Sequence, residues 1–240
     1  MSWCVRILNR LTFFVPPRKK LGWLAFLQTI HADWEPEWTH LEVCLLKLKI
    51  GRSLAVDVGA NCGLYSIKLA SLFSRVHSFE PNPKVVKFLK DADCENVTIH
   101  QTALSSKKSE IDLRIPSKGK QVLSSWASFN KNNCEDADGF FCLETEAQDL
   151  DGFGFEQLDF IKIDVEGHEI EVLEGAKKTI LKCRPILLVK IKDANIEKAD
   201  DFFKAMNYLK VQLGDLIGKP GSRENYFFIP SEKTSNGAAN

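Results

Sequence analysis

The chain has 240 residues, with 32 Lys plus Arg balanced by 32 Asp plus Glu and a hydrophobic fraction of 44%. That length buries a full core in one large domain or two small ones. The charge balance excludes an overall basic field for nucleic acid or an anionic membrane, so any charged partner must meet a local patch. The seven cysteines are odd in number and scattered, with no C-x-x-C pair and no His/Cys cluster of zinc spacing, which points to a reduced, cytoplasmic protein without a metal centre.

The opening segment MSWCVRILNRLTFFVPPRKK is basic and partly apolar, but Arg6 and Arg10 interrupt it, and LTFFV is too short for a signal core or a membrane span. Trp3, Ile7, Arg10, Leu11 and Phe14 lie at helical spacing. Two readings follow: a helix capping the domain, which is favoured, or an amphipathic helix touching a membrane surface through residues 1–15. Further helical patterns cover Leu21 to Ile30 and Glu37 to Ile50, with Pro36 well placed near the start of the second. Residues 1–50 thus read as an N-terminal helical extension.

From SLAVDVG onward the period changes. Short apolar runs alternate with amphipathic stretches: Ser53 to Val58 and a helix from Leu64, Val76 to Phe79 and a helix from Pro83, then Val97 to Gln101. The alternation resumes with Leu158 to Asp164 and a helix from about Glu169, Ile186 to Ile191 and a helix from Ile196, and the terminal pair Tyr208 to Leu213 and Tyr226 to Ile229. Strands apolar on both faces, joined by helices, predict a doubly wound, mostly parallel sheet covered on both sides. The section Ser105 to Gly154 breaks the pattern. There IDLRI and FFCLET read as strands around a polar stretch, and Ser117 to Asn133, which carries Trp126 and Phe129, reads as a lid. The domain is expected over residues 51–230, and SEKTSNGAAN, residues 231–240, as a disordered tail.

In such sheets ligands sit outside the carboxyl ends of the strands. The first strand ends in VDVGANCGLYS, where Gly59, Asn61 and Gly63 make a tight turn into a helix. A dinucleotide fold needs glycine where Asn61 stands so that backbone can reach a pyrophosphate; an amide there argues against a nicotinamide oxidoreductase. The second strand ends in HSFEPNP and sets Glu80 where a carboxylate can accept both ribose hydroxyls. A ligand with a ribose, no diphosphate and a polar group near Asp57 and Asn61 fits S-adenosylmethionine.

The stretch LDFIKIDVEGHEIEVLEGAKK brings an apolar strand to the same edge, where Asp164, Glu166 and His168 emerge. His168 is the natural general base by its intrinsic pKa, with Glu166 behind it. Glu169 and Glu171 read as acids complementing a helix dipole. Lys162 lies inside the strand and needs a counter-charge, for which Asp57 and Asp164 are the candidates.

Together VDVGANCGLYS, FEPNP, NVTIHQTALS and LDFIKIDVEGHEIEVLEGAKKTILKCRPILLV resemble the FkbM-type family of S-adenosylmethionine-dependent methyltransferases, in order and spacing, over roughly Leu54 to Pro230. The resemblance implies a Rossmann-like, seven-stranded sheet with an antiparallel last strand, and O-methylation of a hydroxyl on a sugar or natural product. It also implies that Asp57, Gly59, Asn61, Gly63, Glu80 and Asp164 serve the cofactor, that Thr102, Ala103 and Leu104 lie by the adenine, and that the partner is a small-molecule or glycan acceptor. This chain departs from the family in PILLVKIK. Lys190 stands where a glutamate is common and Lys192 where a histidine is frequent, which disfavours a divalent metal and leaves Lys190 either paired with Asp164 or Glu166 or itself catalytic. A second reading follows from that departure: a cofactor-binding module with weakened or lost catalysis.

Overall fold

The computed structural model describes residues 36–118, 121–122, 127–129 and 138–234. The seven strands of its main sheet are β1 (Leu54–Val58), β2 (Arg75–Phe79), β3 (Val97–His100), β8 (Phe160–Ile163), β9 (Ile186–Lys190), β10 (Tyr208–Val211) and β11 (Asn225–Pro230). A second sheet holds β4 (Ala103–Leu104), β5 (Ser109–Lys118), β6 (Gln121–Val122) and β7 (Gly139–Gln148). The main sheet runs β10-β11-β9-β8-β1-β2-β3. All neighbours pair in parallel except β11, which is antiparallel to both β9 and β10. The alternating pattern predicts the mostly parallel, doubly wound sheet, and the family resemblance implies the rest of this Rossmann-like, class I methyltransferase arrangement, seven strands with the last one antiparallel.

Every residue of β1 and β8 is buried, as a central parallel strand covered on both faces requires. The first four residues of β9 are buried as well, and its last, Lys190, rises toward solvent at the carboxyl end. One core, built from Val56, Val58, Ile161, Ile163, Leu187 and Val189, packs under the helices α4 (Glu169–Gly175), α5 (Lys177–Cys183) and α6 (Ile196–Ala205). The opposite face holds Ala55, Phe160, Ile186, Leu188 and Phe227 under α1 (Pro36–Lys47), α2 (Leu64–Ala70) and α7 (Leu213–Ile217). Helix α3 (Pro83–Asp91) lies beyond α2, and α8 (Ser231–Thr234) follows β11.

Several expectations change on contact with the structure. Helix α1, read as part of an appended extension, is a layer of the core: Trp38, Leu41, Cys44 and Leu45 are buried, and the Trp38 indole donates to the Leu64 carbonyl at 3.3 Å. Glu37 is buried too, accepting from the Ser222 amide at 2.7 Å and the Asn225 side chain at 3.3 Å. The helix expected from about Glu169 is two short ones, divided after Gly175, where a Cβ would lie 2.0 Å from the Ser105 carbonyl oxygen, so α4 abuts the loop after β4. The strand expected to reach Leu213 ends at Val211, and Leu213 opens α7.

The first residues of the expected disordered tail are ordered as α8. Glu232 accepts from Arg184 at 2.7 and 2.8 Å, and the Lys233 ammonium donates to the Arg184 carbonyl at 2.6 Å. The helices expected before Pro36, the surface helix of residues 1–15, residues 119–120, 123–126 (Trp126 among them) and 130–133 of the expected lid, and residues 235–240 lie outside the described residues. Among the described residues no helix is long and apolar enough to cross a membrane.

Candidate active site at the carboxyl edge of the sheet

Parallel pairing brings the ends of β2, β1, β8 and β9 to one edge, so Glu80, Gly59, Asp164 and Lys190 become neighbours although they are far apart in sequence. At the turn after β1 the amides of Gly59 and Ala60 both donate to the Phe79 carbonyl at 3.0 Å. Gly59 has φ 77, and a Cβ there would stand 2.0 Å from the Asp164 carbonyl oxygen. Its glycine is required because β1 and β8 close on each other at this point.

Asn61 takes the left-handed conformation, φ 51, and its amide donates to one Glu80 oxygen at 2.9 Å. The other Glu80 oxygen accepts from the Asn82 amide at 2.8 Å. Glu80 therefore ties the glycine turn to the loop after β2. Burial pushes its carboxyl up to about 7, against the pull of those two amides. Asn82 caps α3 by accepting from the Lys84 amide at 3.1 Å, while its buried Nδ2 has no hydrogen-bond partner among the described residues. Gly63, φ 94, precedes α2, and a Cβ there would meet the Leu89 side chain at 2.5 Å, so the glycine serves packing of α2 against α3.

Asp57 is buried within β1, opposite Lys162 on one side and Ser78 on the other. It accepts from the Ser66 hydroxyl at 2.6 Å, and Ser66 in turn accepts from Ser78 at 2.8 Å. Burial raises the Asp57 carboxyl to about 6, with Ser66 and Lys162 working the other way. Thr102 donates to the Glu146 carbonyl at 2.8 Å, and Ala103 and Leu104 form the buried β4 beside β7. These three residues anchor the second sheet at the edge of the first.

The acids and lysines after β8 and β9 form a chain of alternating charge. Lys162, fully buried, lies 3.5 Å from Asp164 and over the Tyr65 ring at 4.8 Å. Lys190 lies 3.5 Å from Asp164 and 2.7 Å from Glu166, and Lys192 bridges Glu166 at 3.1 Å and Glu224 at 3.6 Å. Burial alone would raise the Asp164 carboxyl, but Lys162, Lys190 and Lys192 outweigh it and hold the group below the usual carboxylate range. Of the two partners expected for Lys162, Asp164 forms the ion pair and Asp57 bonds to Ser66.

His168 and Glu166 are not stacked as donor and support. Glu166, φ 50, turns away to the two lysines, and Glu171 stands behind His168, 3.5 Å from its Nδ1. The other ring nitrogen, Nε2, meets the Ser105 hydroxyl at 3.0 Å, and the Phe129 ring lies 5.2 Å away. Burial lowers the His168 pKa, a shift that Glu171 opposes, so the imidazole is neutral near pH 7. Glu169, expected only to complement a dipole, is buried and braces the turn. It accepts from the Gly167 amide at 2.6 Å and from Asn195 at 2.8 Å.

Two serines escaped sequence reasoning. Ser105 binds His168, and Ser128 donates to the Glu166 carbonyl at 2.6 Å while pairing both ways with the Arg114 backbone. The only trace of either in the sequence is its place in the irregular Ser105–Gly154 section. Among the described residues no group of His, Cys, Asp and Glu is arranged to hold a metal ion.

The 2-O-methyltransferase NoeI of Sinorhizobium fredii is 26% identical over 145 residues, which make up 54% of this chain and 59% of that protein. The chain thus spans less than two thirds of that relative's length. The crystal structure of methyltransferase FkbM from Methylobacillus flagellatus superposes with a TM-score of 0.53 at 15% identity, covering 73% of this chain and 43% of the other, a likeness of fold. Residues 57–215, from Asp57 through Glu80, His168 and Lys190, match the model of the methyltransferase FkbM domain, and the chain belongs to that family of S-adenosylmethionine-dependent methyltransferases.

Proposed function

We propose that the protein transfers a methyl group from S-adenosylmethionine to a hydroxyl of a small-molecule or glycan acceptor. The observation that carries this reading is the meeting, at one sheet edge, of a glycine turn braced by Glu80 with a half-buried histidine. The residues fit the cofactor. Glu80 is a buried carboxylate with lone pairs beyond the two that the amides use, and beside it the Asn82 Nδ2 is a buried donor awaiting an acceptor among the described residues. Glu80 would accept from the ribose hydroxyls, and the turn Gly59–Gly63 would lie along the amino-acid end. When bound, the cofactor supplies an electrophilic methyl on a sulfonium.

The chain's own part is positioning and proton removal. Glu171 at Nδ1 favours the tautomer that carries its proton there, leaving the Nε2 lone pair directed at Ser105. From that position His168 would take the proton of an acceptor hydroxyl, directly or through the Ser105 hydroxyl, which both accepts and donates. The neighbouring lysines do not oppose a sulfonium, since Lys162, Lys190 and Lys192 are matched by Asp164, Glu166 and Glu224. With the proton leaving the hydroxyl as the bond forms and S-adenosylhomocysteine departing, positioning of donor and acceptor supplies much of the rate. NoeI, named as a 2-O-methyltransferase, supports oxygen as the atom methylated.

The test is replacement of the base. His168→Ala is expected to lower transfer to any accepting hydroxyl by about 100-fold or more at unchanged affinity for S-adenosylhomocysteine, in the range set by general-base catalysis. An unchanged rate would remove His168 from this role.

A further inference from the structure

One cavity in the molecule is not used by the cofactor turn. It has a volume of about 560 Å³ and is lined by Ile111, Asp112, Arg114, Phe129, Cys142 and His168. That size lies within the range of small-molecule sites, about 300–1,000 Å³. Its floor is the second sheet: Asp112 and Arg114 are two apart on β5 and so share a face, and Cys142 on β7 lies opposite Arg114 in the register. Its inner wall is His168, the proposed base, with Phe129 against it.

The cavity is also mechanically joined to the main site. Ser128, next to Phe129, pairs with the Arg114 backbone at 2.9 and 3.0 Å and donates to the Glu166 carbonyl, so β5 and the turn carrying His168 are fastened through one residue. A ligand held on β5 would therefore be held in a fixed position relative to the imidazole. The lining is chemically mixed. Asp112 supplies acceptors, Arg114 supplies a planar set of donors steadied by stacking on Phe140 at 4.3 Å, and Phe129 supplies an apolar ring. One acid and one base give no net charge to select an ionic ligand. An acid, a guanidinium and an aromatic ring together suit a ring that is rich in hydroxyls on its rim and apolar on its faces.

We propose that the outer face of the second sheet, with Asp112, Arg114, Phe129 and Cys142, is the acceptor-binding platform, and that it takes an uncharged saccharide whose target hydroxyl is presented to His168. This rests on the methyl-transfer reading for its consequence in turnover, but not for the binding itself. Asp112 and Arg114 act as specificity-determining residues, and Cys142 marks the floor of the site.

The exposed Cys142 makes the proposal testable without knowing the natural acceptor. The full chain, with S-adenosylhomocysteine bound, is treated with N-ethylmaleimide in the presence of maltotriose, cellotriose, tri-N-acetylchitotriose or trigalacturonate, and modification of Cys142 is followed by mass spectrometry of its peptide. At least one neutral trisaccharide is expected to slow modification of Cys142 fivefold or more, without slowing modification of Cys94 or Cys183. Asp112→Ala and Arg114→Ala are each expected to weaken that protection at least tenfold, with affinity for S-adenosylhomocysteine within twofold of the parent. Protection by none of the four, or by trigalacturonate alone, would overturn the proposal. Protection without methyl transfer to the same saccharide would uphold the platform and count against the proposed reaction. Transfer that persists after Cys142 is fully modified, and in both alanine variants, would uphold the reaction and overturn the platform.

Discussion

Glu80 carries two tasks, bracing the turn and facing the ribose, and its chemistry makes both depend on pH. Burial raises its carboxyl to about 7, so the charged form that accepts best is filled in as pH rises through that value. Affinity for S-adenosylhomocysteine is expected to increase severalfold between pH 6 and pH 8 by calorimetry, and Glu80→Ala should flatten the profile and cost about 1.5–3 kcal/mol of binding at pH 8. Stability follows the opposite sign. A folded-state value above the ordinary 4.5 means that the contribution of Glu80 is fully present below 4.5 and is lost as pH rises through about 7. Lys190 gives a second residue-scale prediction. Its ammonium lies between Asp164 and Glu166 at 3.5 and 2.7 Å, and side-chain exposures of 19, 21 and 13% leave the group only partly screened. Lys190→Met is expected to destabilise the fold by about 1–3 kcal/mol in urea unfolding near pH 7, because two carboxylates lose a shared partner. The loss should shrink only as pH falls below 3.8, where Asp164, held under that ordinary value by the lysines, takes up its proton; a loss constant with pH would assign it to packing instead.

At the scale of elements, strands are held in place by a few contacts that no local pattern displays. Gly59 sits where β1 meets the chain leaving β8, and Gly59→Ala would drive a methyl into the Asp164 carbonyl at positive φ. Strain of that kind costs about 1–3 kcal/mol before any clash is relieved, so a fall of at least several degrees in Tm is expected together with loss of S-adenosylhomocysteine binding. Helix α1 is fastened to the loop before β11 by Glu37, and Glu37→Ala would strand the Ser222 amide and the Asn225 side chain. A loss of about 1–3 kcal/mol per unsatisfied group is expected by urea unfolding, with cofactor affinity unchanged because the contact is remote from the carboxyl edge. The strands themselves were legible, since β1, β8 and β9 are short apolar runs bounded by turn residues and their carboxyl ends carry Asp164, Glu166 and Lys190. Helix α7 was not, because Gly214 and the brevity of Leu213–Ile217 hide a helical period, and Asp215 closes its first turn by accepting from the Gln212 amide at 2.7 Å.

Across the whole molecule, the sheet converts remote sequence into one edge, and that conversion decides what a sequence reading can reach. The glycine turn and Glu80 could be read together because both follow strands, at positions that the fold class makes functional. The surroundings of His168 could not. Ser105 is 63 residues away in the chain, and Ser128 reaches Glu166 across 38. Ser105 follows β4 and Ser128 bridges to Arg114 of β5, so both are set by the second sheet, whose place against α4 rests on Gly175 meeting the Ser105 carbonyl. The placement of Glu166 behind His168 was reasonable from spacing alone, but Lys190 and Lys192 attract that carboxylate, and the first turn of α4 puts Glu171 in its stead. Family membership and fold therefore rest on the strand ends, while the acceptor side of the site rests on contacts between the two sheets. The most direct measurement is methyl transfer itself: the protein is incubated at pH 8 with S-adenosylmethionine labelled in its methyl group and the three neutral trisaccharides, and labelled saccharide is separated and counted for the parent, Glu80→Ala and His168→Ala. The account predicts label in at least one saccharide with the parent, with turnover falling about 100-fold or more in His168→Ala and cofactor affinity falling in Glu80→Ala. Calorimetry showing no binding of S-adenosylhomocysteine to the parent, or label transfer unaffected by either substitution, would contradict it.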